Sequence, residues 1–179
     1  MNSIIKINKG SNLVSVEAGV ILSDLHSELS KHNLSFPVTF GARGSAMIGG
    51  ILSSNAGGSN VLKYGNSRDL CLGIEVVLPD GRILNMMSEL HKDNSGLDLK
   101  NLLIGSEGTL GIITKSILKI FPTPKKFFTA MICLNENQDP LNILRKVENK
   151  LGKEVEAFEY MPAFYLKEFY RLFPKKVKL

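Results

Sequence analysis

The chain has 179 residues, of which 44% are hydrophobic, and its formal net charge at pH 7 is +5. This length holds one domain, or one domain and part of a second, and this composition excludes an intrinsically disordered chain. No apolar run is long enough to cross a bilayer as a helix, and the amino terminus lacks the apolar core of a signal peptide, so we expect a cytoplasmic protein.

Cysteines and histidines, the residue types that most often bind transition metals, are few and do not have the spacing of metal ligands. Cys71 and Cys133 have no CxxC partner, and His26, His32 and His91 show neither HxH nor HxxxH spacing. We therefore predict no metal site and interpret both cysteines as reduced and buried.

Lysine clusters at 125–126 and 175–178 contribute to the positive charge. No aromatic platform alternates with these lysines, and no nucleic-acid-binding motif is present. We interpret the clusters as solvated surface and expect no nucleic-acid partner.

The first predicted elements are a hairpin and a helix. Ser3–Ile7 and Leu13–Ala18 are short β-branched runs separated by N-K-G-S-N, which favours two paired strands. Val20–His32 then changes to helical spacing, with Val20, Leu25 and Leu29 on one face.

A glycine-dense stretch, Pro37–Gly65, follows and contains seven of the sixteen glycines. Glycine lets a ligand approach main-chain N–H groups, and such groups in succession form a concave site for anionic oxygens. The stretch matches neither G-x-x-x-x-G-K-[ST] nor G-x-G-x-x-G. It favours an extended, phosphate-containing ligand over a set of tight turns without a ligand.

Two strands and a helix come next. Ile74–Leu78 and Arg82–Met86 flank a Pro-Asp-Gly turn and predict a hairpin, and Asp98–Ile104 predicts a short helix capped by Asp98. A second glycine cluster, Gly105–Thr114, leads into a strand at Ile112–Phe121. By its residues alone, Glu107-Gly108 in this cluster is equally a ligand-binding carboxylate or a surface turn.

The last third of the chain predicts a β-α-β-α element, which suggests a separate α+β unit. Its members are a strand at Phe127–Leu134, a helix at Asp139–Leu151, a strand at Val155–Tyr160 and a helix at Pro162–Phe173. Aromatic residues at helical spacing in this region favour a buried face over the wall of a site for a flat ligand. They are Phe158, Tyr160, Phe164, Tyr165, Phe169, Tyr170 and Phe173. We place a boundary near Pro122–Lys126, with domains at 1–124 and 125–179.

Four segments together resemble one protein family. They are P-V-T-F-G-A-R-G-S-A-M-I-G-G-I-L-S-S-N-A-G-G (Pro37–Gly58), Y-G-N-S-R-D (Tyr64–Asp69), G-I-E-V-V-L-P-D-G-R-I-L (Gly73–Leu84) and K-D-N-S-G-L-D-L-K-N-L-L-I-G-S-E-G-T-L-G-I-I-T (Lys92–Thr114). The family is the FAD-linked oxidases of the vanillyl-alcohol oxidase, or PCMH, fold. The branch that the chain resembles contains D-lactate and D-2-hydroxyglutarate dehydrogenases and the flavin subunit of glycolate oxidase. E-A-F-E-Y-M (Glu156–Met161) is similar to the start of that branch's substrate domain.

The resemblance implies that FAD is the cofactor and that both glycine segments contact it, which decides the interpretation of Glu107-Gly108. The implied cofactor-binding residues are Pro37, Gly41, Gly44, Ser45, Ile48, Gly49, Gly50, Asn55, Gly57, Gly58, Tyr64, Gly65, Glu107, Gly108, Gly111, Ile112 and Ile113.

The implied fold class is α+β: a second FAD-binding subdomain of PCMH type, with a mixed sheet and flanking helices, followed by the start of a substrate cap domain. The family's R-x-G-G loop, substrate arginine, metal-binding histidines and acid–base groups have no counterpart in this sequence. The resemblance therefore implies a fragment of an enzyme, with no catalytic residue in this chain.

The activity that the resemblance implies is oxidation of a D-2-hydroxyacid to the 2-oxoacid by hydride transfer to FAD. The implied partners are this small-molecule substrate and a possible complementing chain or electron-acceptor subunit. The alternative hypothesis is a non-catalytic remnant or interaction module that binds FAD weakly or needs a partner chain.

Overall fold

A computed structural model describes residues 1–135 and 138–174. The lysine cluster at 175–178, which we interpret as solvated surface, lies outside the described residues. Within the described residues there are seven strands, at Ile4–Asn8 (β1), Leu13–Glu17 (β2), Leu34–Ser35 (β3), Cys71–Val77 (β4), Ile83–Met86 (β5), Ile112–Lys119 (β6) and Phe121–Pro122 (β7). The same part of the chain forms α-helices at Leu22–Ser30 (α1), Ile48–Ser53 (α2), Val61–Tyr64 (α3), Ser67–Leu70 (α4), Leu99–Leu103 (α5), Pro140–Leu151 (α6) and Ala163–Leu172 (α7).

Five strands make the main sheet, in the order β1-β2-β6-β4-β5, and β3 pairs with β7 beside it. Every pairing among these strands is antiparallel. The predicted hairpins are confirmed as β1–β2 and β4–β5. The α+β class is also confirmed, although in the described residues the expected mixed sheet is an antiparallel one.

The core lies between one face of the sheet and helices α1 and α2. Val14 and Val16 alternate inward along β2, as a strand with one buried face requires, and both are fully buried. Leu22, Leu25 and Leu29 lie three and four residues apart on α1 and are also fully buried. The apolar face of the strand and the apolar face of the helix, each predicted by its own sequence period, thus belong to one core.

The segment after β5 turns back across the sheet to the opposite edge strand. There the Glu89 carboxylate accepts a hydrogen bond from Asn8 Nδ2 at 3.3 Å, and His91 Nε2 lies 3.2 Å from the Ser11 carbonyl oxygen. Gly73 permits this crossing, since a Cβ there would lie 2.6 Å from the Met86 carbonyl oxygen. No sequence pattern predicted this crossing segment.

The last third of the chain is helical where helices were predicted and irregular where strands were predicted. Asp139 caps α6 by accepting a hydrogen bond from the Leu141 N–H, and Pro140 occupies the first turn. The predicted strands at Phe127–Leu134 and Val155–Tyr160 are wrong, because neither segment pairs with another strand in the described residues. Phe127 and Phe128 are 79% and 95% exposed.

The aromatic residues of this region do not form the buried face that their spacing favoured. Phe164 and Tyr165 of α7 are 72% and 52% exposed, and neither α6 nor α7 contains a buried residue. No helix in the described ranges is long and apolar enough to cross a membrane.

Candidate functional site

The glycine stretch Pro37–Gly65 begins as an irregular segment beside α1 and then forms α2. His26 on α1 contacts its start, with Nε2 lying 2.9 Å from the Phe36 carbonyl oxygen, and burial lowers the pKa of this histidine. The helix α2 buries Ile48, Ile51 and Leu52 and leaves Gly50 exposed. One side of α2 therefore belongs to the core and the other to the surface.

Several glycines of this stretch are required by the fold itself. A Cβ on Gly49 would lie 2.7 Å from the Ala18 Cβ, and one on Gly58, whose φ is +136°, would lie 2.5 Å from the Thr39 carbonyl oxygen. The N–H groups of Ile48 and Gly49 donate to the carbonyl oxygens of Val20 and Ala18, at 3.0 and 2.8 Å. These groups hold α2 against the end of β2.

Other glycines of the stretch border open space. A Cβ on Gly41, Gly44 or Gly50 would meet no atom within 4 Å. Packing within the described chain gives no reason for glycine at these three positions. Their backbone is open to a ligand, and added side chains would occupy that space.

A groove of about 320 Å³ runs beside the exposed side of α2. It is lined by Phe40, Ala46, Met47, Gly50, Ile51, Ser54 and Ala56. Of these lining residues, Ser54 has a polar side chain and the other six do not. The groove suits an apolar, flat part of a ligand, while the neighbouring glycines suit a polar part.

The structure brings the second glycine segment onto the end of α2. The N–H of Gly105 donates to the Leu52 carbonyl oxygen at 3.0 Å, and the N–H of Glu107 donates to the Ser53 carbonyl oxygen at 2.9 Å. Glu107 itself has a φ of +52° and is exposed, and Gly108 follows it with a φ of +79°. Two segments about fifty residues apart in the chain therefore form one surface.

The remaining predicted residues of the second segment differ in their surroundings. Ile113 is buried in the core, whereas Ile112 is 59% exposed. Gly111 is a packing glycine, since a Cβ there would lie 2.6 Å from Val76 Cγ1. Of these three, Ile112 is the one whose side chain lies open to solvent.

Asn55 and Arg68 join the two glycine segments. Asn55 Oδ1 accepts a hydrogen bond from the Arg68 N–H at 3.0 Å, and Arg68 Nη2 donates to the Ile104 carbonyl oxygen at 2.6 Å. Arg68 has no motif of its own in the sequence, where it belongs to the segment Y-G-N-S-R-D. The available signal was an arginine two residues after the cap residue Asn66 of a short helix.

Polar groups at three other predicted positions are engaged within the chain. The Tyr64 hydroxyl donates to Glu156 Oε1 at 3.3 Å, and its ring centroid lies 4.8 Å from that of Phe121. Burial raises the pKa of Tyr64, so this hydroxyl is neutral at pH 7. The Pro37 carbonyl oxygen accepts from Asn60 Nδ2 at 3.0 Å, and Ser45 Oγ donates to the Ala42 carbonyl oxygen at 3.3 Å.

The two predicted glycines that remain, Gly57 and Gly65, lie in the last part of the stretch Pro37–Gly65. A Cβ on Gly57 would lie 3.0 Å from Val61 Cγ2, and one on Gly65, whose φ is +80°, would lie 2.6 Å from Asp69 Oδ2. The Asp69 carboxylate accepts a hydrogen bond from the Asn66 N–H in the cap of α4. Gly65 therefore gives the Asp69 side chain room to complete that cap.

Reactive side chains are not concentrated at this surface. Burial raises the pKa of the Cys71 thiol to about 12, which makes it unreactive at neutral pH. The prediction that Cys133 is also buried is wrong, because the segment 127–134 that contains it forms no strand and Cys133 is exposed. In the part of the chain that the structure describes, no three His, Cys, Asp or Glu side chains lie together as a metal ion would require. The surface can bind and orient a ligand, and we assign it no nucleophile.

Comparison with known families and proteins identifies the segment that contains the first glycine stretch. Residues 1–87 match the model of a family described as an FAD binding domain. The chain is 40% identical to the mitochondrial D-2-hydroxyglutarate dehydrogenase of Rattus norvegicus over 163 residues, which cover 91% of this chain and 30% of that protein. It is 35% identical to a D-2-hydroxyglutarate–pyruvate transhydrogenase of Saccharomyces cerevisiae over 161 residues, covering 90% and 32%.

A solved structure of alkyldihydroxyacetonephosphate synthase has the same fold, with a TM-score of 0.62 and 26% sequence identity. The superposed region covers 70% of this chain and 23% of the synthase chain. The chain thus spans about a third or less of the length of the proteins it matches. The rat relative is named as mitochondrial, and a cytoplasmic location for this chain stays a prediction.

Proposed function

We propose that this chain belongs to the FAD-linked oxidases and forms part of an FAD-dependent dehydrogenase. The proposal is supported by the match of residues 1–87 to the model of an FAD binding domain and by the similarity to D-2-hydroxyglutarate dehydrogenases. The proposed reaction is the oxidation of a D-2-hydroxyacid to the 2-oxoacid. Two relatives at 35–40% identity are named for D-2-hydroxyglutarate, and a third, 37% identical, is named as a putative D-lactate dehydrogenase. These names support a hydroxyacid as the substrate class.

The observation that carries the proposal is the set of glycines that border open space. A cofactor with an extended pyrophosphate needs close access to backbone, and Gly41, Gly44 and Gly50 leave that access. The apolar groove beside α2 fits the ring system of the same ligand. The residues present therefore fit FAD.

We propose that the cofactor is held by the residues of both glycine segments given in the sequence analysis. Among them, Gly41, Gly44, Gly50 and Ile112 carry the direct contacts, because they are open to solvent. Ile48, Gly49, Gly58 and Ile113 contribute by placing the backbone. The N–H groups of Ile48 and Gly49 are hydrogen-bonded within the fold, a Cβ on Gly58 would lie 2.5 Å from the Thr39 carbonyl oxygen, and the Ile113 side chain is buried.

When bound, FAD would supply the two-electron oxidant: the hydroxyacid would lose a hydride from C2 to it and its hydroxyl proton to solvent or to a base outside this chain. The chain binds and orients the cofactor, and its apolar groove excludes water from one side of it. We assign no general acid or base to this chain. We also propose the division into domains at 1–124 and 125–179, since the first contains the whole sheet and the glycine surface.

The test is an anaerobic reduction, after loading with FAD, of the whole enzyme of which this chain is proposed to form part. D-2-hydroxyglutarate, D-lactate and glycolate are added in turn, with the L enantiomers of the first two as controls. We expect a D-2-hydroxyacid to bleach the flavin absorbance and the L enantiomers to leave it unchanged. Retention of FAD without bleaching by any of the three would contradict the dehydrogenase proposal and favour a non-catalytic binding module.

A further inference from the structure

We infer that Arg68 is a positioning residue that fixes the two glycine segments relative to each other and so sets the shape of the cofactor surface. The inference rests on the proposed function, because it assigns a role in FAD binding. It concerns a residue at the junction of the segments, away from the open glycines themselves.

Arg68 reaches both segments at once. Its backbone N–H donates to Asn55 Oδ1 at 3.0 Å, which ties it to the residue just beyond the end of α2. Its side chain donates from Nη2 to the Ile104 carbonyl oxygen at 2.6 Å, directly before Gly105. Ile104 is 1% exposed, so this acceptor lies in the core and cannot shift freely.

The second segment is shaped to receive the guanidinium. Gly105 has a φ of +84°, and a Cβ there would lie 2.8 Å from Arg68 Nη2 and 3.3 Å from the Asn55 Cβ. A side chain at this position would therefore displace the arginine from the Ile104 carbonyl. Asn55, Arg68 and Gly105 form one interlocked unit.

The charge of Arg68 is not balanced by a neighbouring side chain. Among residues 1–135 and 138–174 it forms no ion pair, and its Nε is buried without a hydrogen-bond partner. A partly buried cation without a counterion raises the free energy of the folded protein. Arg68 therefore also favours the binding of an anionic ligand close to its guanidinium group, between the two glycine segments.

The test compares Arg68→Ala and Arg68→Lys with Arg82→Ala as a matched control. Arg82 is 77% exposed and pairs with Asp80, two residues away in the same turn. Lysine keeps the positive charge and loses the fixed fork of donors. For each full-length variant we measure the Kd for FAD by fluorescence titration, the visible circular dichroism of the bound flavin, and the urea midpoint without FAD.

We expect Arg68→Ala to raise the Kd by about tenfold or more, as loss of a charged hydrogen bond implies, and to change the flavin dichroism at saturating FAD. Arg68→Lys should also raise the Kd, and Arg82→Ala should leave it unchanged. Guanidinium ion at concentrations far below denaturing ones should restore part of the affinity of Arg68→Ala and have no such effect on the control.

Unchanged Kd and dichroism in Arg68→Lys would overturn the inference, even if Arg68→Ala fails to fold. A lower urea midpoint with unchanged dichroism and no rescue by guanidinium would also overturn it, because the role would then be structural alone. Failure of the wild-type protein to bind FAD would instead overturn the proposed function, so the two failures are distinguishable.

Discussion

Gly49 and Gly50 are adjacent and identical in sequence, yet they meet different surroundings. Gly49 faces Ala18 at the end of β2, where its missing Cβ makes room for the helix, and Gly50 faces open space beside the groove. The sequence pattern gives no reason to distinguish these two members of the glycine stretch. At the residue scale, the fold explains one glycine and leaves the other for a ligand.

Gly49→Ala should lower the free energy of unfolding. Its Cβ would lie 2.7 Å from the Ala18 Cβ and 3.2 Å from the Ala18 carbonyl oxygen, so α2 would have to move. Overpacking of this kind costs typically about 1–3 kcal/mol. Urea unfolding without FAD measures the change, and stability equal to wild type would contradict the placement of α2.

Gly50→Leu should have the opposite effects. A side chain at position 50 meets no atom within 4 Å at its Cβ, and replacement of a helical glycine generally stabilises by roughly 0.5–1 kcal/mol. We expect urea stability at or above that of wild type together with a higher Kd for FAD. Normal FAD binding by this variant would show that the ligand path lies elsewhere.

At the scale of single elements, the central strands β4 and β6 are joined by a charged pair. Lys115 and Glu75 are register partners, and Lys115 Nζ lies 3.0 Å from Glu75 Oε1. Hydrogen bonds from Lys115 and then from the Thr114 hydroxyl lower the pKa of Glu75. Glu75 therefore stabilises the folded state above its unfolded pKa, and this contribution is lost as the pH falls through the folded value.

Glu75→Gln should accordingly lower the free energy of unfolding at pH 7 by roughly 1 kcal/mol or less, as expected for a partly exposed pair. The difference from wild type should shrink as the pH falls through the folded-state pKa of Glu75, because both side chains are then neutral. Urea unfolding over a pH series measures this convergence. Glu148→Gln, on the exposed helix α6, is the control and should show no such pH dependence.

Elements with strong local signals were predictable, and those that depend on distant partners were not. The hairpins, the helix α1 and the capped start of α6 each have a period or a cap that is readable in the sequence. The segments 127–134 and 155–160 have strand-like residues, but a strand exists only if an edge is available to pair with. The bond from Arg68 to Ile104 joins residues 36 apart, and no local pattern encodes it.

At the scale of the whole molecule, the sheet and the glycine surface lie before residue 125, and two exposed helices follow it. Surface contacts join the parts: Lys63 Nζ lies 2.8 Å from Glu154 Oε2, and Tyr64 bonds to Glu156. A surface ion pair such as Lys63–Glu154 stabilises by about 1 kcal/mol or less, and a single hydrogen bond such as that of Tyr64 by a similar amount. The described residues after 125 are therefore held only weakly against residues 1–124.

Limited digestion with trypsin should cut first at Lys125 or Lys126, which are exposed and lie in an irregular segment. We expect a resistant product that ends at one of these lysines, identified by its mass. Loss of all fragments at one rate, or protection of this segment, would contradict the proposed boundary near Pro122–Lys126.

We propose that the open glycines beside α2 form a surface that binds FAD. Titration of the purified protein and of Gly50→Leu with FAD, followed by flavin fluorescence, tests this proposal. We expect saturable binding by the wild-type protein and weaker binding by a variant that is at least as stable. Absence of saturable binding by the folded wild-type protein, or equal affinity in the two proteins, would contradict it.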